Sequence, residues 1–72
     1  MATNIIELVR NKIKYYRKIN NLTQEDLSEK SGISSDYISE IERGKKNPSI
    51  KRLYIIADVL NIEAYKLLKP LN

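Results

Sequence analysis

Residues 23–49 read TQEDLSEKSGISSDYISEIERGKKNPS, and the punctuation of this stretch decides the fold. Thr23 has the position and chemistry of a helix N-cap, with Asp26 at the third helical place of a shortened capping box and Glu25 favourable to the helix dipole. A short helix to about Lys30 follows, with Leu27 pointing inward. Gly32 suits the left-handed backbone after it, Ile33 anchors the turn, and Ser34 caps another short helix that turns Ile38 and Ile41 inward before Gly44 ends it. Arg43, Lys45 and Lys46 crowd around that second glycine.

Outward from this stretch the helical rhythm continues. From roughly Thr3 to Asn20, the residues Ile5, Val9, Ile13 and Tyr16 recur every three or four positions and define one face, with Asn20 and Asn21 as the stop. Downstream, Pro48 interrupts, Ser49 caps, and Ile50, Leu53, Ile56, Ala57 and Leu60 form a further face. A last short helix near Glu63 to Leu68 is closed by Pro70. Only two prolines and two glycines occur, and the β-branched residues sit at helical rather than alternating positions. The expectation is an all-α, five-helix domain over residues 1–72, with no repeat and no linker.

Composition narrows the chemistry. Cysteine and histidine are both absent, which removes disulfides, thiolate nucleophiles and the usual zinc sites, and no cofactor is expected. Thirteen basic against nine acidic residues leave 13 − 9 = +4, a balance that attracts polyanions weakly. No apolar run approaches the roughly eighteen residues of a membrane span, so no membrane partner is expected and the chain reads as soluble and cytoplasmic. The carboxylates Glu25, Glu29, Asp36 and Glu40 fall on exposed helix surfaces without a partner base, metal set or phosphate-cradling loop, so an enzyme is not expected.

Two short helices joined by a glycine-containing turn of about three residues form the helix-turn-helix arrangement, whose second helix enters the DNA major groove. The wording LTQEDLSEKSGISSDYISEIERGKKNPS, with its T-Q-x-x-L, G-I-S, Y-I-S-x-I-E-x-G and N-P-S elements in register, resembles the lambda repressor and Cro family, also called XRE-type. The resemblance spans about Ile13 to Leu68 and implies a five-helix, lambda-repressor-like DNA-binding domain. It also implies residue roles. Gln24 matches a glutamine that contacts a phosphate and braces the second helix of the motif. Ser34, Ser35, Asp36, Ser39 and Glu40 match positions on the exposed, N-terminal side of that second helix; Ser35, Asp36, Ser39 and Glu40 are the base-contact candidates, foremost Ser35, Asp36 and Glu40, and Ser34 is a phosphate-contact candidate. Arg17 and Glu42 match a structural pair. Most members carry longer amides or cations at some of the base-contact positions. Asp36 and Glu40 are repelled by the DNA backbone and suit only the cytosine amino group.

The remaining cations and aromatics have their own logic. Lys51 and Arg52 fall in the first turn of a helix, where the dipole disfavours cations unless an anion binds there. With Arg43, Lys45 and Lys46 they make a phosphate clamp. The Tyr37 hydroxyl can reach a phosphate and its ring a thymine methyl. Tyr16 fits the core, and the other tyrosines are surface residues scattered over separate elements, which argues against a single-strand stacking platform. Tyr54, Ile55, Val59, Tyr65 and Leu68 are surplus apolar surface suited to a two-fold homodimer, with Leu71 beside them. The function expected is a homodimeric regulator of transcription on double-stranded DNA, akin to short phage-type repressors and restriction-modification controller proteins, with RNA polymerase as a further candidate partner. An antitoxin-like module that binds a protein partner and its own promoter is the alternative.

Overall fold

A computed structural model describes residues 4–69. Four α-helices follow one another in chain order: α1 (Ile5–Ile19), α2 (Gln24–Ser31), α3 (Ser35–Glu42) and α4 (Ile50–Val59), and a 3-10 helix spans Ala64–Leu68. Each α-helix starts on a side chain able to accept from its exposed amides. Asn4 accepts from the amides of Ile6 and Glu7, Thr23 from Asp26, Ser34 from Tyr37 and Ser49 from Arg52. The capping box of α2 is complete: Asp26 Oδ2 accepts from the Thr23 amide at 2.9 Å, and Thr23 Oγ1 from the Asp26 amide at 3.0 Å. The Thr23 amide, and then its side chain, hold the Asp26 carboxyl below the usual carboxylate range.

The helix ends are as regular as the starts. Asn21, Gly32, Gly44 and Asn61 all adopt positive φ. After α1 the amides of Leu22 and Asn21 return to the carbonyls of Arg17 and Lys18, and after α4 those of Ile62 and Asn61 return to Ala57 and Asp58. These paired bonds satisfy carbonyls that the helix leaves open, and asparagine tolerates the left-handed position that they require. Gly44 has a second constraint, because a Cβ there would sit 3.1 Å from Arg10 Cδ.

The core gathers one residue or more from every element. Val9 and Ile13 meet Leu27, Ile33, Ile38 and Ile41 of the α2–α3 pair, and Leu53, Ile56, Ala57, Leu60 and Leu67 close it. Three expectations from periodicity need correction. Ile5, placed on the inward face of α1, is 54% exposed, and Ile50, placed on that of α4, is 75% exposed. Both lie in the first turn of their helices, at the margin of the core. The fifth helix is a 3-10 helix rather than an α-helix: it has five residues, no side-chain cap on Glu63, and an i→i+3 bond from the Lys66 amide to the Glu63 carbonyl. So short a segment gains too few i→i+4 bonds to offset nucleation. It still seats Leu67 in the core, a residue that no pattern singled out.

Lys12 occupies the part of the α1 face that lacks an apolar residue. It is 4% exposed, and its ammonium lies 5.5 Å from the Tyr16 ring centroid. Burial, and secondarily the charge of Lys69, lower its pKa from the ordinary 10.5. The unfolded chain then binds this proton more tightly than the folded one. Stability therefore rises as pH climbs from the lowered value to 10.5, and the penalty is fully present below that lowered value. Lys12→Met is expected to raise stability at neutral pH and to flatten that rise relative to the parent, as measured by urea unfolding at a series of pH values. Equal pH slopes in the two chains would contradict this assignment.

Candidate nucleic-acid interface

The motif expected between residues 23 and 42 is present. Gly32, Ile33 and Ser34 connect α2 to α3, with Ile33 only 7% exposed and wedged into the core. The turn sets the spacing of the two helices, and a buried polar cluster ties their ends to α1. Arg17 Nε donates to Glu42 Oε2 at 2.7 Å, Nη2 to Glu42 Oε1 at 3.0 Å, and Nη1 to the Leu22 carbonyl at 2.7 Å. Gln24 Nε2 adds a bond to Glu42 Oε1 at 3.1 Å. Arg17 thus meets the carboxylate as a bidentate fork, the strongest form of ion pair. One carboxylate at the last residue of α3 is gripped by the end of α1 and the start of α2.

The surface in front of this cluster is an open groove. It is lined by Arg17, Thr23, Gln24 and Glu25 on one side and by Ser35, Asp36 and Ser39 on the other. Three of the four base-contact candidates therefore share one concavity with Gln24. Gln24 reaches the last residue of α3 through its bond to Glu42, and its amide keeps one further N–H. The Ser34 oxygen accepts from the Tyr37 amide at 3.2 Å, and its O–H stays available to donate.

Glu40 does not line that groove. Its Oε1 lies 3.7 Å from Lys46 Nζ. Tyr37 likewise turns to the loop between α3 and α4: its hydroxyl donates to the Asn47 carbonyl at 3.3 Å, and its ring carries two cations, with Arg52 Cζ at 4.8 Å and Lys46 Nζ at 5.5 Å from the centroid. Arg43, Lys45, Lys46, Lys51 and Arg52 are all exposed. Arg10 is a cation that no motif pointed to. Its side chain lies against Gly44 and pairs with Glu7 at 3.7 Å, beside the basic loop. The glycine was legible, but the arginine that crosses it was not.

The apolar candidates separate into two surfaces. Tyr54 and Ile55 line an open depression with Ile62 and Ala64, between α4 and the 3-10 helix, and Val59 is half-buried next to the core. Tyr54 and Tyr65 are 64% and 56% exposed. Leu68 lines a different depression, with Ile5, Ile6 and Pro48, while Leu71 lies outside the described residues. Among the described residues no group of acidic side chains could hold a metal ion, and no helix is long and apolar enough to cross a membrane.

Comparison with known proteins agrees with this architecture. The helix-turn-helix family matches residues 13–67. An uncharacterized HTH-type transcriptional regulator of Methanocaldococcus jannaschii is 47% identical over 55 residues, covering 76% of this chain and 83% of the relative. The control protein C.SmaI of Serratia marcescens is 42% identical over 65 residues, covering 90% of this chain and 77% of that protein. Among solved structures, the master regulator for biofilm formation SinR in complex with DNA aligns with a TM-score of 0.81 at 37% identity, over 85% of this chain and 98% of that one.

Removing one side of the buried pair strands the other. Glu42→Ala is expected to cost about 3 to 5 kcal/mol, a large part of the total stability of so small a chain, and to weaken nucleic-acid binding through loss of α3 placement. Arg17→Met combined with Glu42→Leu is expected to recover most of the stability, because both charges leave together. Thermal and urea unfolding of the single and double variants check both values. An unchanged melt in Glu42→Ala alongside lost binding would show that the carboxylate acts on the ligand instead.

Proposed function

The chain belongs to the helix-turn-helix family, and we propose that it is a sequence-specific regulator of transcription that binds an inverted-repeat operator in double-stranded DNA as a homodimer. Its relatives are transcriptional regulators, not enzymes. The observation that carries the proposal is the junction of the α2–α3 groove with a cation-rich loop. Ser35, Asp36 and Ser39 line the groove, which supports their reading as short donors and acceptors for base edges, and Arg43, Lys45, Lys46, Lys51 and Arg52 follow immediately along the chain. Contacts of the first kind specify sequence, and contacts of the second kind set register and affinity. SinR, at 37% identity, was solved with DNA bound, which supports the same mode of use here.

Dimerisation rests on the depression between α4 and the 3-10 helix. Its exposed Tyr54 and half-buried Ile55 and Ile62 form apolar surface of the kind that a two-fold axis covers with its own copy. Two copies then present α3 to successive major grooves, about 10 bp apart. The single domain acts in the cytoplasm, with RNA polymerase as a partner where the operator overlaps a promoter.

Selection from a random duplex library at near-physiological salt tests this reading. The expected product is an inverted repeat with half-sites about 10 bp apart, and Ile55→Glu is expected to abolish the two-fold symmetry of the recovered sites. Retention without sequence preference, collapsing as salt rises, would overturn the proposal.

A further inference from the structure

We propose that Tyr37 and Glu40 are positioning residues, which hold Lys46 and Arg52 together as one binding unit for a single DNA phosphodiester. The inference rests on the DNA-binding reading above and changes the roles of two residues within it. By sequence, Tyr37 is a direct phosphate contact and Glu40 a base reader.

Three observations carry the reassignment. The Tyr37 hydroxyl is occupied by the Asn47 carbonyl at 3.3 Å, so its proton is already committed within the loop. The Tyr37 ring meets two cations from different elements, Lys46 from the loop at 5.5 Å and Arg52 from the first turn of α4 at 4.8 Å from its centroid. Glu40 stands one helical turn beyond Tyr37, at the i,i+3 spacing that puts both on one side of α3, and its carboxylate holds the Lys46 ammonium at 3.7 Å.

Charge and entropy explain what such a platform does. Two long cationic side chains brought to one place repel each other and lose rotamer freedom, which ordinarily counts against binding. The electron-rich ring attracts both, and Arg and Lys over an aromatic face are held more firmly the drier the site becomes. The group sums to two positive charges and one negative, a net +1, which one phosphodiester neutralises. The arrangement also explains why a helix carrying Asp36 and Glu40 besides the buried Glu42 can approach DNA: the Glu40 carboxylate is already answered by a lysine.

The test uses the full chain and a labelled mixed-sequence duplex about three helical turns long, since backbone contacts are independent of sequence. Binding is measured as a function of salt. Tyr37→Leu is expected to weaken binding about three- to tenfold at low salt. It is also expected to reduce the salt slope by about one, although both cations remain. Tyr37→Phe, which keeps the ring, is expected to restore both quantities. Tyr37→Leu is expected to add little to Arg52→Ala but its full effect to Lys51→Ala, because Lys51 is not on the ring. Circular dichroism melts establish that each variant is folded, and Lys46→Gln probes the unit without touching the ring.

Equal losses in Tyr37→Phe and Tyr37→Leu would overturn the platform in favour of a direct hydroxyl contact. Additivity of Tyr37→Leu with Arg52→Ala, or an unchanged slope in Lys46→Gln, would overturn it as well. Failure of the unsubstituted chain to bind the duplex at low salt would overturn the DNA-binding reading itself, and the platform with it.

Discussion

The carboxylate of Glu42 is the point on which the arrangement of the motif depends. It closes α3, and it is reached by Arg17 from the end of α1 and by Gln24 from the start of α2. Three helix ends therefore converge on two oxygen atoms. Apolar contacts between Leu27, Ile33, Ile38 and Ile41 bring α2 and α3 together, but such contacts tolerate sliding and rotation. A bidentate fork has a narrow range of distances and angles, and it removes that tolerance. The Glu42 side chain is only 3% exposed, so every arrangement in which Arg17 does not reach it leaves a buried charge unanswered.

The same end of α1 is held by its own turn. Arg17 also donates to the Leu22 carbonyl, within the left-handed turn at Asn21 that redirects the chain into α2. A single side chain thus links the turn that ends α1 to the residue that closes α3. The surface follows from this. With α3 held from behind, its groove side carries the short groups Ser35, Asp36 and Ser39, while Tyr37 and Glu40 meet Lys46 of the loop and the Tyr37 ring also meets Arg52 of α4.

Much of this was legible in the chain because it is local. Thr23, Ser34 and Ser49 cap helices by reaching amides three residues away, and Gly32 and Gly44 take backbone angles that few other residues adopt without strain. Neither effect needs a distant partner. Asn61 does the same work as Asn21 and is less conspicuous, because asparagine is common in many settings whereas glycine with positive φ is not. The apolar periodicity identified Val9, Ile13, Leu53 and Ile56 correctly. It overreached at Ile5 and Ile50, because periodicity describes a face without saying how far along the helix a neighbour covers it.

By itself the sequence determined the four α-helices and the three-residue turn, while the pairing of Arg17 with Glu42, 25 residues apart, was legible only through the family resemblance. Only the tertiary structure decided that Leu67 enters the core from a 3-10 helix, that Lys12 is buried beside Tyr16, that Arg10 crosses Gly44, and that Tyr37 gathers Lys46 and Arg52. The division has a physical reason. Caps, turns and helical faces are settled by residues within about one helical turn of each other, and a linear string shows that separation directly. A cation over a ring joins residues from different elements, and its geometry exists only after the core has packed them side by side.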